Sequence, residues 1–149
     1  MKTIYLGTDH AGFKLKEYLK KYLEKLNYKV IDLGNRKYIK TDDYPDYAKK
    51  VAKAVARNND SRGILFCHNG VGMCIVANKI AGIRAALVST PKVAKEAVFD
   101  DNANIICLGG GYLKLKAAEK IVISFLQARF SEAARHKRRI KKIKKLEVK

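Results

Sequence analysis

The pattern of apolar positions divides the chain into predicted strands and helices. Five short runs are almost continuously apolar, which is typical of strands covered by helices on both faces. Between them, apolar side chains recur every three or four residues, which predicts amphipathic helices. The predicted strands are residues 4–6, 30–33, 64–67, 85–88 and 105–108. The predicted helices are residues 15–26, 47–55, 72–79, 91–98 and 113–130.

Strands that alternate with helices in this way form a parallel sheet between helical layers. We therefore expect an α/β fold, with a three-layer α/β/α sandwich around a five-stranded, parallel, Rossmann-like sheet. No repeat or linker interrupts the pattern, so residues 1–149 are predicted to form a single domain.

The last segment, about residues 131–149, has a different pattern. It predicts a basic helix with a thin apolar stripe formed by Ile140, Ile143 and Leu146. So narrow a stripe packs weakly on its own chain. We expect this C-terminal helix to pack on a partner subunit or in a shallow groove.

Composition narrows the class of protein further. The chain has 32 Lys and Arg against 14 Asp and Glu, a net charge of +18, which suits an anionic substrate or partner. No stretch approaches the roughly 20 apolar residues of a membrane span, and the first residues lack the pattern of a signal peptide. Three cysteines, an odd number without Cys-x-x-Cys spacing, argue against both a disulfide framework and a zinc site. We expect a cytoplasmic protein that does not bind a membrane.

Candidate chemistry clusters in four segments next to the predicted strands. Ligands of open parallel sheets bind beyond the carboxyl ends of the strands. Residues 7–12, 67–72 and 109–111 follow strands, and residues 99–102 lead into the fifth strand. In the second segment, Gly70 and Gly72 allow a tight turn whose amides can face an anion at the start of a helix. A Gly-x-Gly turn is weak evidence alone, because it lacks the further residues of a dinucleotide or triphosphate loop.

The cysteine that ends the third strand has two interpretations. Cys67 sits where the strand meets the glycine turn, a position suited to a base or nucleophile. From spacing alone the favoured interpretation is a buried structural thiol, a common fate for a cysteine that ends an apolar strand. Cys74 and Cys107 are predicted to be core residues.

Other polar side chains have two interpretations as well. His10 can contact a phosphate or sugar oxygen with Asp9 orienting it, and Asp9 can also cap the following helix. Arg135 and Arg139 are one helical turn apart and can present two guanidinium groups to one phosphate. The lysines of the same segment are expected to form a solvated basic face.

Taken together, these motifs resemble a known family, the type B ribose-5-phosphate isomerases, which includes the allose-6-phosphate and galactose-6-phosphate isomerases. The resemblance runs from residue 2 to about residue 145 almost without gaps. It is carried by residues 7–13, 43–45, 63–67, 70–72, 77–79, 82–84 and 135–136. These motifs indicate the family more specifically than the substrate.

The resemblance implies a metal-free and cofactor-free aldose–ketose isomerisation of a phosphorylated sugar through a cis-enediolate. Cys67 would be the base, taking the C2 proton of the open-chain sugar and returning it at C1. Backbone amides would hold the enediolate oxygens as an oxyanion hole does; they belong to Asn69, Gly70, Val71 and Gly72. The phosphate would bind His10, Arg135 and Arg139, and Tyr44 would help close the pocket.

The sequence departs from the family pattern at several positions. Asp100 replaces a histidine that opens the furanose ring, and Asp101 replaces an asparagine. His68-Asn69 replaces Gly-Thr, and Gly111 replaces an arginine that helps to hold the phosphate. A carboxylate at position 100 could serve as the base for ring opening, or His68 could take over that task or be only a bulky loop residue. The departures are compatible with another pentose or hexose phosphate or with a catalytically weakened paralogue.

The resemblance also implies paired subunits, as a homodimer or a dimer of dimers, with active sites shared between chains. A different class of function, nucleic-acid binding through the basic C-terminal segment, would use phosphate neutralisation. It is disfavoured because a recognisable nucleic-acid module and stacking aromatic residues are missing from the sequence of that segment.

Overall fold

The computed structural model describes residues 2–147, and its centre is one all-parallel sheet. The strands lie in the order β2-β1-β3-β5-β4. Their bounds are β1 Thr3–Thr8, β2 Lys29–Asp32, β3 Ser61–Cys67, β4 Ala85–Leu87 and β5 Ile105–Gly109. The predicted fold class and all five predicted strands are confirmed; β3 begins three residues earlier than the apolar run suggested.

Within the described residues, six α-helices connect and flank the strands, and His10–Gly12 forms one 3₁₀ turn. The helices are α1 Phe13–Lys25, α2 Tyr44–Ala56, α3 Val71–Ala77, α4 Pro91–Asp101, α5 Leu115–Gln127 and α6 Ala134–Lys144. None of the helices between residues 2 and 147 has the length and apolarity needed to cross a bilayer.

Several helix ends differ from the predicted bounds by up to three residues, and two of these differences have a visible cause. Helix α4 continues past residue 98 to Asp101, and Asn102 ends it in a left-handed conformation, with φ +50°. Helix α5 stops at Gln127, because the buried Arg62 of β3 donates hydrogen bonds to the carbonyl oxygens of Phe125 and Ala128, at 2.6 and 3.0 Å. A guanidinium at this place satisfies carbonyl groups that a helix end leaves without partners.

The core has two parts, one on each face of the sheet. Helices α1, α4 and α5 cover one face with residues such as Leu19, Val98 and Phe125. Helices α2 and α3 cover the other face, where Val51 and Met73 are fully buried. Alternate residues of β3 and β5 contribute to the two parts, so the sheet is buried on both faces as the continuous apolar runs predicted.

The C-terminal helix packs on its own chain through two of its residues. In α6, His136 and Ile140 are buried, and the helix contacts α4. Leu146 lies beyond the end of α6 and is 82% exposed, so it does not complete the predicted stripe. Only these two residues of α6 are buried on the own chain, and packing on a partner subunit stays a prediction.

Candidate active site

The loops that follow β1, β3 and β5 meet at the carboxyl edge of the sheet. The amides of Gly110 and Gly111 donate hydrogen bonds to the carbonyl oxygens of Cys67 and His68, at 2.8 and 2.9 Å. A Cβ at position 110 would lie only 3.1 Å from the Cα of Gly12, so the loops after β1 and β5 are also in contact. These three predicted segments form one rim, which we call the carboxyl rim (residues 9–12, 67–72 and 109–111).

Cys67 ends β3 at the bottom of the carboxyl rim, and 5% of its surface is exposed. The Gly70 amide donates a hydrogen bond to its Sγ at 3.1 Å. Gly70 has a φ of +80°, in the left-handed region that favours glycine, and this turn aims its N–H back at the sulfur. The thiol therefore contacts the loop, and the Cys67 side chain also belongs to the buried cluster on the α2–α3 face of the sheet.

A second amide of this loop is also engaged. The Val71 N–H donates to Asn69 Oδ1 at 3.0 Å, and the same oxygen lies 4.0 Å from Cys67 Sγ. A ligand that uses the Val71 amide has to displace the Asn69 side chain. Asn69 thus holds the loop in shape and competes with the ligand for the same donor.

The ring of Tyr44 lies against the start of α3. It is the first residue of α2, and its ring lies so close to Gly72 that a Cβ there would be 2.5 Å from Tyr44 Cζ. Glycine at position 72 is what permits this approach. Tyr44 is thereby placed on the carboxyl rim, 39% exposed.

His68 lies on the rim next to Cys67 and is exposed. Its ring is 5.2 Å from that of Tyr112, and it fills the space beside the Cα of Gly111. The structure therefore places an imidazole at the rim itself, within the loop that carries the candidate base.

Asp9 and His10 lie at the end of β1, with a partner that the sequence did not reveal. Asp9 accepts hydrogen bonds from the amides of Ala11 and Gly12, which confirms the predicted cap. Burial raises the pKa of Asp9 above its usual range, against the effect of these hydrogen bonds and of nearby His10. The ring and the backbone N–H of His10 both contact Asp42, at 2.8 and 2.9 Å.

The same three side chains are the group that could hold a metal ion in the described part of the chain. One ligand atom of each of Asp9, His10 and Asp42 lies within 4.8 Å of the others. However, Oδ1 of each carboxylate already accepts two N–H hydrogen bonds. The arrangement is that of a hydrogen-bonded cluster around an imidazole.

The remaining predicted residues do not join the carboxyl rim within one chain. The amide of Gly63, near the start of β3, donates to the carbonyl of Asn104, whereas Cys67 ends the same strand. Four strand residues span about 13 Å. Asp100 and Asp101 therefore lie at the opposite, amino edge of the sheet, and it was wrong to group residues 99–102 with loops at the carboxyl ends.

At this amino edge, Asp100 has an unexpected partner. Oδ1 of Asp100 lies 3.6 Å from Nε2 of the buried His136, whose Nδ1 is 2.6 Å from Ser131 Oγ. The exposed Arg135 and Arg139 are on the same helix as His136. The spacing of residues in the sequence did not link His136 or Ser131 to Asp100, because the contact joins two helices that are distant in sequence.

A cavity of about 560 Å³ also opens at this edge. Its lining includes Asp101, Arg84 and Ala103 together with Ile143 of the C-terminal helix. The cavity is thus separated from the Cys67 thiol by the length of the sheet.

The other two cysteines differ from each other. All three thiols are free, and Cys107 is fully buried as predicted; burial, aided by Cys74, raises its pKa well above the usual range. Cys74 is only partly buried. A hydrogen bond with Cys107 lowers the pKa of Cys74 to about 7, against the effect of burial and with smaller help from the Leu87 amide and the Asn78 side chain.

The chain is similar to known sugar-phosphate isomerases along most of its length. A family model described as Ribose/Galactose Isomerase matches residues 4–143. A probable ribose-5-phosphate isomerase B of Mycoplasma pneumoniae is 46% identical over 140 residues, covering 94% of this chain and 91% of that protein. The ribose-5-phosphate isomerase B of Escherichia coli is 40% identical over 147 residues, covering 99% and 97%.

Solved structures give the same result. A ribose 5-phosphate isomerase of Thermotoga maritima superposes with a TM-score of 0.93 at 43% identity, covering 97% of this chain and 99% of that one. A ribose-5-phosphate isomerase B of Mycoplasma genitalium with bound ribulose-5-phosphate gives 0.92 at 42% identity, covering 96% and 94%.

The fold and the relatives show that the chain is an enzyme of the aldose–ketose isomerase class, which acts on sugar phosphates. The chain belongs to the Ribose/Galactose Isomerase family, and the predicted family is confirmed.

Proposed function

We propose that the protein interconverts D-ribose 5-phosphate and D-ribulose 5-phosphate, with Cys67 as the base. The observation that carries this proposal is the Gly70 amide, which donates to Cys67 Sγ at 3.1 Å inside a glycine turn. Relatives named ribose-5-phosphate isomerase B, 40–46% identical over most of the chain, support the choice of substrate. We also propose a cytoplasmic location. The three free thiols support it, because the reducing cytoplasm keeps cysteines from forming disulfides.

The proposed reaction moves one proton between adjacent carbons. The Cys67 thiolate takes the proton from C2 of the open-chain aldose, and the C2–H electron pair becomes the double bond of a cis-enediolate. In the first step the C1 carbonyl electron pair moves to O1. The same sulfur then returns the proton to C1, and the proton of the C2 hydroxyl moves to O1, which leaves a carbonyl at C2. Carbon acids beside a carbonyl are weak, so loop amides from Asn69 to Gly72 stabilise the oxyanion; one such donor contributes roughly 2.7–4 kcal/mol in other enzymes.

The phosphate end of the site needs a second copy of the chain. His10 lies at the carboxyl rim, whereas Arg135 and Arg139 belong to a helix whose His136 contacts Asp100 at the amino edge. A homodimer, or a dimer of such dimers, brings the arginines of one chain to the carboxyl rim of the other. An isologous interface of this kind creates two equivalent sites.

Two side chains are candidates for opening the furanose ring. Asp100 is 47% exposed and backed by His136, so in the shared site its carboxylate can take the proton of the anomeric hydroxyl. His68 is already on the rim beside Cys67. Tyr44, seated over Gly72, closes the pocket above the sugar.

Isomerisation assays of three proteins test the proposal. Wild type is expected to interconvert the two pentose phosphates, and Cys67→Ala to lose 10²-fold or more in kcat, the usual contribution of a positioned base. Cys74→Ser is the matched control, because it changes a thiol outside the carboxyl rim, and it should keep wild-type kcat and melting temperature. Wild-type turnover in Cys67→Ala would refute the assignment of the base.

The same assay with allose 6-phosphate and galactose 6-phosphate separates substrates by kcat/KM. We expect the pentose phosphate to have the highest value, because the extra carbon of a hexose moves the phosphate relative to the arginines. A higher value for a hexose phosphate would replace the proposed substrate while leaving the role of Cys67 intact.

A further inference from the structure

Asp42 holds His10 at two points with a single oxygen. Its Oδ1 accepts a hydrogen bond from the backbone N–H of His10 at 2.9 Å and lies 2.8 Å from the ring Nδ1. The Asp42 side chain is 6% exposed, whereas that of His10 is 33% exposed. One end of the imidazole is therefore buried against a carboxylate and the other end is open to solvent.

The second oxygen of Asp42 fixes the carboxylate itself. Oδ2 accepts from the Asn35 side-chain amide at 3.1 Å. The carbonyl of Asn35 in turn accepts from Lys16 Nζ at 2.8 Å, and that fully buried ammonium is paired with Asp32 at 2.6 Å. This chain of contacts connects the rim histidine to a buried ion pair in the fold.

The proton on the His10 ring can be assigned from these contacts. A carboxyl group is ordinarily ionised at neutral pH, and Asp42 Oδ1 lies within hydrogen-bond distance of Nδ1. An ionised carboxylate only accepts hydrogen bonds, so Nδ1 must carry a hydrogen. Nε2 is then the ring atom left for a ligand. The other titratable groups around this pair are Asp9, Tyr47 and Tyr38.

We propose that Asp42 is a positioning residue for substrate binding: it accepts a hydrogen bond from Nδ1–H and directs the His10 ring so that, in the imidazolium form, Nε2–H donates to the phosphate of the substrate. This inference rests on the proposed function for the identity of the substrate. A fixed ring loses no rotational freedom when the anion arrives, and an imidazolium between two anions donates charge-assisted hydrogen bonds from both nitrogens.

The first test compares Asp42→Asn with Asp46→Asn. Both remove one negative charge from the same region, but Asp46 is exposed in the first turn of α2. We expect Asp42→Asn to raise KM for ribose 5-phosphate about tenfold, the loss of one hydrogen bond to a charged group, with kcat within about threefold. Asp46→Asn should match wild type. An unchanged KM in Asp42→Asn, or a loss confined to kcat, overturns the inference.

The second test does not depend on turnover. Long-range ¹H–¹⁵N spectra of the wild-type protein, which has three histidines, should show His10 with hydrogen on Nδ1. Calorimetric titration with inorganic phosphate should then give a Kd about tenfold weaker in Asp42→Asn than in Asp46→Asn. A His10 ring with hydrogen on Nε2 alone overturns the inference even if Asp42→Asn fails to fold.

The isomerisation assay and the phosphate titration distinguish a failure of the proposed function from a failure of the role of Asp42. If wild type binds phosphate through His10 but does not isomerise ribose 5-phosphate, the proposed function fails and the role of Asp42 stands. If wild type isomerises the sugar and both variants bind it equally well, the role of Asp42 fails and the proposed function stands.

Discussion

The imidazole of His68 occupies the space that a side chain at Gly111 would need. A Cβ at position 111 would overlap Cε1 and Nδ1 of His68, and the Gly111 amide donates to the His68 carbonyl at 2.9 Å. The resemblance to the type B ribose-5-phosphate isomerases places a glycine at 68 and an arginine at 111. The two departures are therefore one structural exchange. The His68 ring, in the loop after β3, takes the space that a side chain at position 111, in the loop after β5, would otherwise fill.

This exchange predicts strong coupling between the two positions. Gly111→Arg alone should lower kcat/KM and the melting temperature, because the new side chain meets His68. His68→Gly combined with Gly111→Arg should recover much of the loss, with a coupling energy of about 1 kcal/mol or more, as contacting residues usually show. A double-mutant cycle on kcat/KM measures it, and purely additive effects would contradict the exchange.

A site shared between chains predicts complementation between two inactive variants. Cys67→Ala keeps the arginines, and the variant with Arg135→Ala and Arg139→Ala keeps the thiol. Unfolding the two together and refolding them should give about a quarter of wild-type activity, since half of the dimers are mixed and each has one intact site. Arg138→Ala, an exposed change on the same helix, is the control and should stay active. An inactive mixture would place all essential residues of each site in one chain.

The buried Lys16 predicts a large effect on stability. Its ammonium is fully buried and bonds to Asp32, Glu17 and the Asn35 carbonyl. Lys16→Met removes one partner of a buried pair, so we expect a loss of about 3–5 kcal/mol in the free energy of unfolding. Lys14→Met, on the exposed face of the same helix, should change it by less than about 0.5 kcal/mol. Urea denaturation measures both, and equal midpoints would show that the pair is not stabilising.

The same pair predicts the response to acid. Burial would raise the pKa of Asp32, but hydrogen bonds from Lys16, the Gly34 amide and Lys20 outweigh it, so the folded pKa lies below the ordinary value of 3.8. A depressed carboxyl pKa stabilises the fold above pH 3.8, and this contribution is lost as the pH falls through the folded pKa. The free energy of unfolding should therefore decrease less steeply from pH 5 to 3 in Asp32→Asn than in wild type. Identical slopes in urea titrations at each pH would rule out this role.

The sequence predicted the sheet well because the sheet is buried on both faces. Continuous apolar runs marked all five strands, and their carboxyl ends located the carboxyl rim. Helix ends were harder, because they depend on contacts between distant residues: Arg62 ends α5, and no local signal near Gln127 indicates this.

The candidate site could be predicted only in part, because some of its contacts also join residues that are distant in sequence. Loop residues next to strands, such as Cys67 and His10, follow from topology alone. Asp42 was missed because it is 32 residues from His10 in sequence, in a loop without periodicity. The misplacement of Asp100 was avoidable in principle, since a segment that leads into a strand lies at the amino edge of a parallel sheet.

Arg62 also links the central strand β3 to the segment that leads into the C-terminal helix α6. The chain that leaves α5 past the Ala128 carbonyl leads directly to Ser131 and then to the helix with Arg135 and Arg139. In the proposed dimer, a substitution at Arg62 would therefore displace Arg135 and Arg139 and lower substrate affinity at the active site of the other subunit, even where that subunit carries no substitution.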